Sequence, residues 1–233
     1  MAQPYPVSLM VAGRPVLVVG GGSVAARKAA GLVECGACVT VITPETGPEV
    51  SSLATSAAVT LVLRRYRNGD AAAYRLVVTA TGMPEVDHAV SADAEAAGIW
   101  VNCADDAEHC TFFLPSIHRD GPVSVAVSTG GVSPALAAWL RRRTAGALDP
   151  GLGTLCDLLG EARRRLQDEG RPTSSLDWAA LLDGPLPQLV REGRMDEARR
   201  TLDAFLVGGR PTSPADTPPD TPSSPTGPPG GGG

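Results

Sequence analysis

Gly20-Gly21-Gly22-Ser23-Val24-Ala25 is the stretch whose residue types and spacing say most about chemistry. It fits the pattern G-x-G-x-x-G/A, follows the apolar run PVLVV at residues 15–19, and precedes a segment with helical spacing of apolar residues. Gly20 permits a tight turn. Gly22 lets a diphosphate lie against the main chain, and Ala25 allows close helix–strand packing. The anion then rests on the N–H groups at the start of the helix. A carboxylate about 20 residues further on usually holds the ribose hydroxyls. Here Thr43-Pro44-Glu45 stands at that point, with Thr43 in the usual slot and Glu45 slightly late. No arginine lies next to Glu45 to receive a 2′-phosphate, which favours NAD over NADP.

Other residues have chemistry by type. Asp105 and Asp106 are adjacent, and either carboxylate could take a proton if it reached the reacting atom. The plainer use of an Asp pair in a loop is a turn or a cap. His109, His118 and Cys110 could accept protons or ligate a metal transiently, but no stable metal site is expected. In Ser128-Thr129-Gly130-Gly131-Val132-Ser133-Pro134, two glycines form a flexible turn, Ser133 is a good N-cap and Pro134 a good first helical residue. Such a helix start attracts anions. Arg27 and Lys28 could add positive charge nearby, whereas Arg141–Arg143 end their helix, where the dipole alone favours cations. Arg163–Arg165 read as a solvated helix face.

The elements that must position these groups alternate. Strands are expected at residues 15–19, 39–42, 59–63, 76–79 and 99–102, with helices at 23–34 and from Pro84 to Ala97. Alternation of this kind gives a parallel sheet with right-handed crossovers and ligands at the carboxyl ends of the strands. Gly20, Thr43, Thr79–Thr81 and Asn102 then share one rim. Further strands are expected at Phe112–Leu114 and Val123–Ser128, a helix from Ser133-Pro134 to Arg143, and three or four short helices from Leu152 to Leu206. Beyond Gly208 the composition of Pro, Gly, Ser, Thr and Asp predicts a disordered tail.

Bulk composition narrows the class. The chain has 233 residues, 43% of them hydrophobic, so a real core can form; aromatics are only 4%, so it must be built from Ala, Val and Leu. A formal net charge of −5 does not favour non-specific nucleic-acid binding. No apolar run approaches the roughly 20 residues that cross a bilayer, and the N-terminus does not resemble an export signal. Residence in the cytoplasm and free thiols are therefore expected for Cys35, Cys38, Cys103, Cys110 and Cys156. Cys35-Gly36-Ala37-Cys38 reads as a helix end, its glycine cap and the next strand, not as a redox pair.

Three long stretches resemble one family. They are YPVSLMVAGRPVLVVGGGSVAARKAAGLVECGACVTVITPE, VTATGMPEVDHAV and GIWVNCADDAEHCTFFLPSIHRDGPVSVAVSTGGVSPALAAWLRRR. All three are similar to the N-terminal module of siroheme synthases, the precorrin-2 dehydrogenase and sirohydrochlorin ferrochelatase family. The resemblance covers about residues 5 to 145, and more loosely to about 206. It implies an α/β fold: a Rossmann-type parallel sheet (residues 1–113), a small α+β dimerisation region (114–150), a helical domain (151–207) and the tail (208–233). It implies NAD-dependent oxidation of precorrin-2 to sirohydrochlorin by a homodimer, and leaves open whether ferrous iron is then inserted. Cofactor contacts are implied at Gly20, Gly22, Ser23, Val24, Thr43, Pro44, Glu45, Thr81 and Asn102. The catalytic carboxylate is implied at Asp105, and substrate contacts at Ser128, Thr129, Gly130, Gly131 and Ser133. Thr129 stands where some members carry a phosphorylated serine. The competing readings are a non-catalytic NAD-sensing module and an S-adenosylmethionine-dependent methyltransferase. The methyltransferase would need a seven-stranded sheet and an acid firmly at the end of the second strand.

Overall fold

The computed structural model describes residues 3–208. Five strands form one parallel sheet: β1 (Pro15–Val19), β2 (Cys38–Thr43), β3 (Thr60–Leu63), β4 (Leu76–Thr79) and β5 (Trp100–Cys103), in the order β3-β2-β1-β4-β5. Side chains alternate across the sheet. Val18 joins one apolar cluster with Ala25, Ala29, Val41 and Val50. Leu17 and Val19 join another with Ile42, Val77, Val90 and Val101. Cover on both faces is why β1 and β4 read as continuous apolar runs. It is supplied by α1 (Ser23–Glu34), α2 (Pro48–Thr55) and α3 (Pro84–Ala96).

The register pairs Val19 with both Ile42 and Thr79, and Thr79 with Cys103. All four strands therefore end on one rim. The strand order reverses at β1, and the crevice there is the usual ligand position of an open α/β sheet. The sheet has five strands among the described residues, not the seven of the methyltransferase alternative. Helix α2 and a 3-10 turn at Asp70–Ala73 go beyond the sequence expectation. The signal for α2 was Pro48 at its first position with Glu49 in its first turn.

One expectation changes. Phe112–Leu114 is not a strand. The N–H groups of Thr111 and Phe112 donate to the Val101 carbonyl, and Phe112 packs against the α1-side cluster. Phe112 serves packing and Leu114 is exposed, so this short apolar run is a loop and not a strand. The second sheet is instead the hairpin of β6 (Ser116–Asp120) and β7 (Val123–Val127). Downstream, the single helix expected up to Arg143 is α4 (Pro134–Ala145).

The chain divides into two compact units. One holds the residues up to Ile117 together with Ala126–Arg141. The other holds His118–Val125 and the chain from Arg142 onward. The second unit is helical: α5 (Leu152–Asp168), α6 (Trp178–Leu182), α7 (Leu186–Arg191) and α8 (Met195–Gly208). These enclose Leu155, Leu158, Ala162, Leu166, Leu186 and Leu202. The expected tail lies outside the described residues, apart from Gly208 at the end of α8. No described helix is long and apolar enough to cross a membrane.

The turn from β1 into α1 is the tightest place in the sheet unit. A Cβ at Gly20 would lie 2.4 Å from the Ala80 carbonyl oxygen, and one at Gly21 would lie 1.9 Å from that of Glu45. At Gly22 a Cβ would meet nothing within 4 Å. Gly21→Ala should therefore cost about 1–3 kcal/mol through overpacking. At about 2–4 °C per kcal/mol, its melting temperature should fall by several degrees. Gly22→Ala should melt like the parent protein. Thermal unfolding by circular dichroism checks both.

Candidate functional site at the carboxyl rim of the sheet

The glycine turn is clamped from two sides. Gly20 N–H donates to the Ile42 carbonyl at 3.0 Å, and Gly47 N–H donates to the Gly21 carbonyl at 2.8 Å. Gly22 forms the extended N-cap of α1, and no side chain caps it. An open, uncapped helix start with no Cβ above it is what a diphosphate requires. Gly20, Gly22, Ser23 and Val24 are thus assembled as the residue pattern predicts. Beside them, Thr43 is buried and its hydroxyl donates to the Glu45 carbonyl at 2.6 Å. Thr43 therefore shapes the loop from within. Pro44 and Glu45 are exposed on the rim.

The other side of the crevice is organised by Asp87, which is only 5% exposed. Its Oδ1 accepts from the Thr79 hydroxyl, from the Thr81 hydroxyl at 2.9 Å and from the Thr81 N–H at 3.1 Å. Asp87 sits in the first turn of α3, where the helix dipole favours a carboxylate. Sequence reasoning missed it, although an acid early in a helix after Pro84 was a usable signal. Thr81 is therefore held by Asp87 as part of the rim.

A cavity of about 360 Å³ opens here, lined by Val24, Ala80, Gly82, Pro84, Asp87, His88, Cys103, Ala104, Asp105 and Asp106. Asp105 has φ +61°, a left-handed conformation in which Asp is among the few tolerated non-glycine residues. It is exposed, and its carboxylate makes no hydrogen bond or ion pair among the described residues. Asp106 differs: its Oδ1 accepts from the Glu108 and His109 N–H groups, the capping role expected of an Asp in a loop. A larger recess of about 590 Å³ runs between α1 and α2, lined in part by Ser23, Arg27, Glu49 and Ser52. The smaller cavity is the better candidate, because it joins the glycine-turn helix to an unpaired carboxylate.

Below the rim lies a partly buried polar chain. Lys28 Nζ donates to Asn102 Oδ1 at 2.8 Å, and Asn102 Nδ2 donates to the Phe112 carbonyl at 3.0 Å. Burial, with Arg27 adding to it, lowers the Lys28 ammonium below its ordinary range. Lys28 is thus spent on Asn102, and the Asn102 amide, with the residue 6% exposed, is spent within the protein. The Cys110 thiol donates to the Cys103 and Asp106 carbonyls. Burial raises it too.

Asp106 also gathers the histidines. His88 Nε2 lies 2.8 Å and His109 Nδ1 2.7 Å from Asp106 Oδ2, and the rings stack with centroids 3.8 Å apart. These contacts hold the Asp106 carboxyl below its usual range, that with His88 foremost. His88 was not singled out from the sequence, since its partner lies 18 residues away. His118 is on β6, in the other compact unit.

The segment from Ser128 to Pro134 forms the expected turn. Gly130 and Gly131 have φ +62° and +84°, and Ser133 Oγ accepts from the Leu136 N–H at 3.2 Å. Thr129 Oγ1 accepts from the Ser133 N–H at 3.0 Å. Ser128 Oγ accepts from the Gly130 N–H at 3.1 Å. A Cβ on Gly131 would lie 2.8 Å from the Phe113 ring and 3.3 Å from Ala107. The turn therefore packs on the same loop that carries Asp105.

All five thiols are unbridged; Cys35 and Cys38 are exposed, and Cys35 ends α1 as expected. Burial first, then the nearby Asp87, pushes the Cys103 thiol up to about 12. The thiolate is the reactive form. Iodoacetamide at about pH 8 should therefore alkylate Cys38 in the native protein and reach Cys103 only after unfolding. Peptide mass spectrometry of native and denatured samples reads this out, and native labelling of Cys103 as fast as Cys38 would contradict it.

Residues 7–116 match a family described as "Putative NAD(P)-binding", and residues 120–143 match one described as "Sirohaem biosynthesis protein central". The chain is 37% identical over 200 residues to the siroheme synthase of Methylococcus capsulatus, covering 84% of this chain and 42% of that protein. It is 37% identical over 208 residues to the siroheme synthase of Thioalkalivibrio sulfidiphilus, with 88% and 42% covered. It thus spans under half the length of these relatives. Among solved structures it shares its fold with "SirC, precorrin-2 dehydrogenase": the TM-score is 0.67 at 24% identity, over 88% of this chain and 99% of that one. Over less than half of their length the chain is similar to siroheme synthases, and it carries segments that match the NAD(P)-binding and sirohaem-biosynthesis central families.

Proposed function

We propose that this chain oxidises precorrin-2 to sirohydrochlorin with NAD in siroheme biosynthesis. The observation that carries the reading is Asp105: an exposed, unpaired carboxylate in a left-handed conformation, on the wall of a cavity that also touches Val24 of α1. Support comes from the relatives, titled siroheme synthase, and from the similar structure titled precorrin-2 dehydrogenase.

Gly20, Gly22, Ser23 and Val24 would hold the diphosphate of NAD, with Pro44 and Glu45 on the ribose side and Thr43, Thr81 and Asn102 shaping the walls. Glu45, with no adjacent arginine, suits a ribose without a 2′-phosphate. NAD, when bound, supplies a hydride acceptor. The chain must then take one proton, and the Asp105 carboxylate does so as general base. Nothing competes for that carboxylate among the described residues. The substrate, rich in carboxylates, would lie along Ser128, Thr129, Gly130, Gly131 and Ser133. The Ser133 and Thr129 hydroxyls already take helix-start N–H groups, so their part is to hold the turn open toward the anion.

The region 114–150 would form a homodimer interface. Leu114, Val132, Leu136 and Trp139 are 48%, 78%, 47% and 49% exposed, more apolar surface than one short segment ordinarily shows to water. Residues 151–207 form the helical domain of this assignment, and the protein would work in the cytoplasm without nucleic-acid or membrane partners. An NAD-sensing module without turnover would leave the exposed Asp105 unexplained.

Incubating the protein with precorrin-2 and NAD should yield NADH and sirohydrochlorin absorbance. Asp105→Ala should lower the rate by roughly 10²–10⁴-fold, the usual worth of general-base catalysis, with NAD affinity unchanged. Near-normal turnover by that variant would remove Asp105 from the mechanism. No turnover with either nicotinamide cofactor would sink the function itself.

A further inference from the structure

We propose that His88, Asp106 and His109 form a binding site for one first-row divalent transition-metal ion at the mouth of the Asp105 cavity. The three donor atoms, one from each residue, lie within 4.8 Å of one another. His88 projects from α3, and Asp106 and His109 from the loop after β5, so the site spans two elements of the same compact unit. Two imidazoles and a carboxylate are a borderline-soft set that suits Fe²⁺, Co²⁺ or Zn²⁺ and not Mg²⁺ or Ca²⁺. Three protein ligands also leave positions open, as in catalytic rather than structural sites.

The donors are nearly in place. Both ring nitrogens meet the same oxygen, Asp106 Oδ2, at 2.7 and 2.8 Å. Bonds of about 2.0–2.2 Å in a tetrahedron set ligand atoms roughly 3.3 Å apart. Each ring nitrogen therefore needs to part from that oxygen by about half an ångström, with some tilt of the stacked rings. That is accessible, because the His88, His109 and Asp106 side chains are 44%, 40% and 28% exposed. The backbone of the loop is already fixed: Asp106 Oδ1 accepts from the Glu108 and His109 N–H groups, leaving Oδ2 for the ion. Cys110 is not a ligand, since its thiol is turned toward the Cys103 and Asp106 carbonyls.

His88 and Asp106 line the same cavity as Asp105. An ion held here would present its open positions to whatever occupies that cavity. That a tetrapyrrole nitrogen takes one of them rests on the function proposed above; the binding of the ion does not.

The test is a Zn²⁺ and Co²⁺ titration of the full chain by calorimetry and visible absorption. One ion per chain is expected, with a Co²⁺ spectrum of nitrogen and oxygen ligands. His88→Ala, His109→Ala and Asp106→Asn should each weaken binding by more than about tenfold, and His118→Ala should not. Melting curves without metal establish that each variant is folded. Binding unchanged in the three variants, or a Co²⁺ spectrum with thiolate charge-transfer bands, would overturn the site. Turnover of precorrin-2 with NAD, measured on the unaltered protein in chelator, separates failure of this site from failure of the oxidation reading.

Discussion

Between β1 and α1 there is room for main chain and little else. The Ala80 carbonyl closes on Gly20 and the Glu45 carbonyl on Gly21, while the space above Gly22 is left open. Two of the three glycines are thus required by the protein's own backbone. This packing brings the loop after β2 and the end of β4 against the start of α1. It aims the unsatisfied N–H groups of that helix into the crevice. If the turn were wider, the rim would lose both its anion site and the spacing between the loops that carry Glu45 and Asp105.

The second half of the site depends on a different device. The loop after β5 is held from beneath by Lys28, Asn102, Cys110 and the Phe112 carbonyl, and from the side by Asp106 with the two histidines. Because Lys28 belongs to α1, the helix that starts at the glycine turn also anchors the loop carrying Asp105. Burying an ammonium is costly unless it is hydrogen-bonded. The Lys28–Asn102 contact is therefore a constraint on geometry more than a source of stability. What it leaves exposed is Asp105, whose carboxylate, unlike that of Asp106, has no partner among the described residues.

Much of this was legible in the sequence. The apolar run at 15–19, the helix from Ser23 to Glu34 and the rim positions follow from periodicity and punctuation, which are local signals. The reason for Gly21 was not, since its contact with Glu45 joins residues far apart in the chain. The same applies to His88 with Asp106, and to Asp87 beneath Thr79 and Thr81. Lys28 looked like free charge near a cleft because sequence cannot show that Asn102 claims it. Phe112–Leu114 failed for a simpler reason: a short apolar run fits a strand and a packed loop equally well. Only the path of the chain, with Thr111 and Phe112 returning to Val101, decides between them.

The most direct measurement is a crystal structure of the protein with NAD. The diphosphate should lie over Gly22 against the N–H groups of Ser23 and Val24, with the nicotinamide ring facing the Asp105 carboxylate. A diphosphate seated elsewhere, such as the recess lined by Arg27 and Glu49, would contradict the account, as would a nicotinamide ring turned away from Asp105.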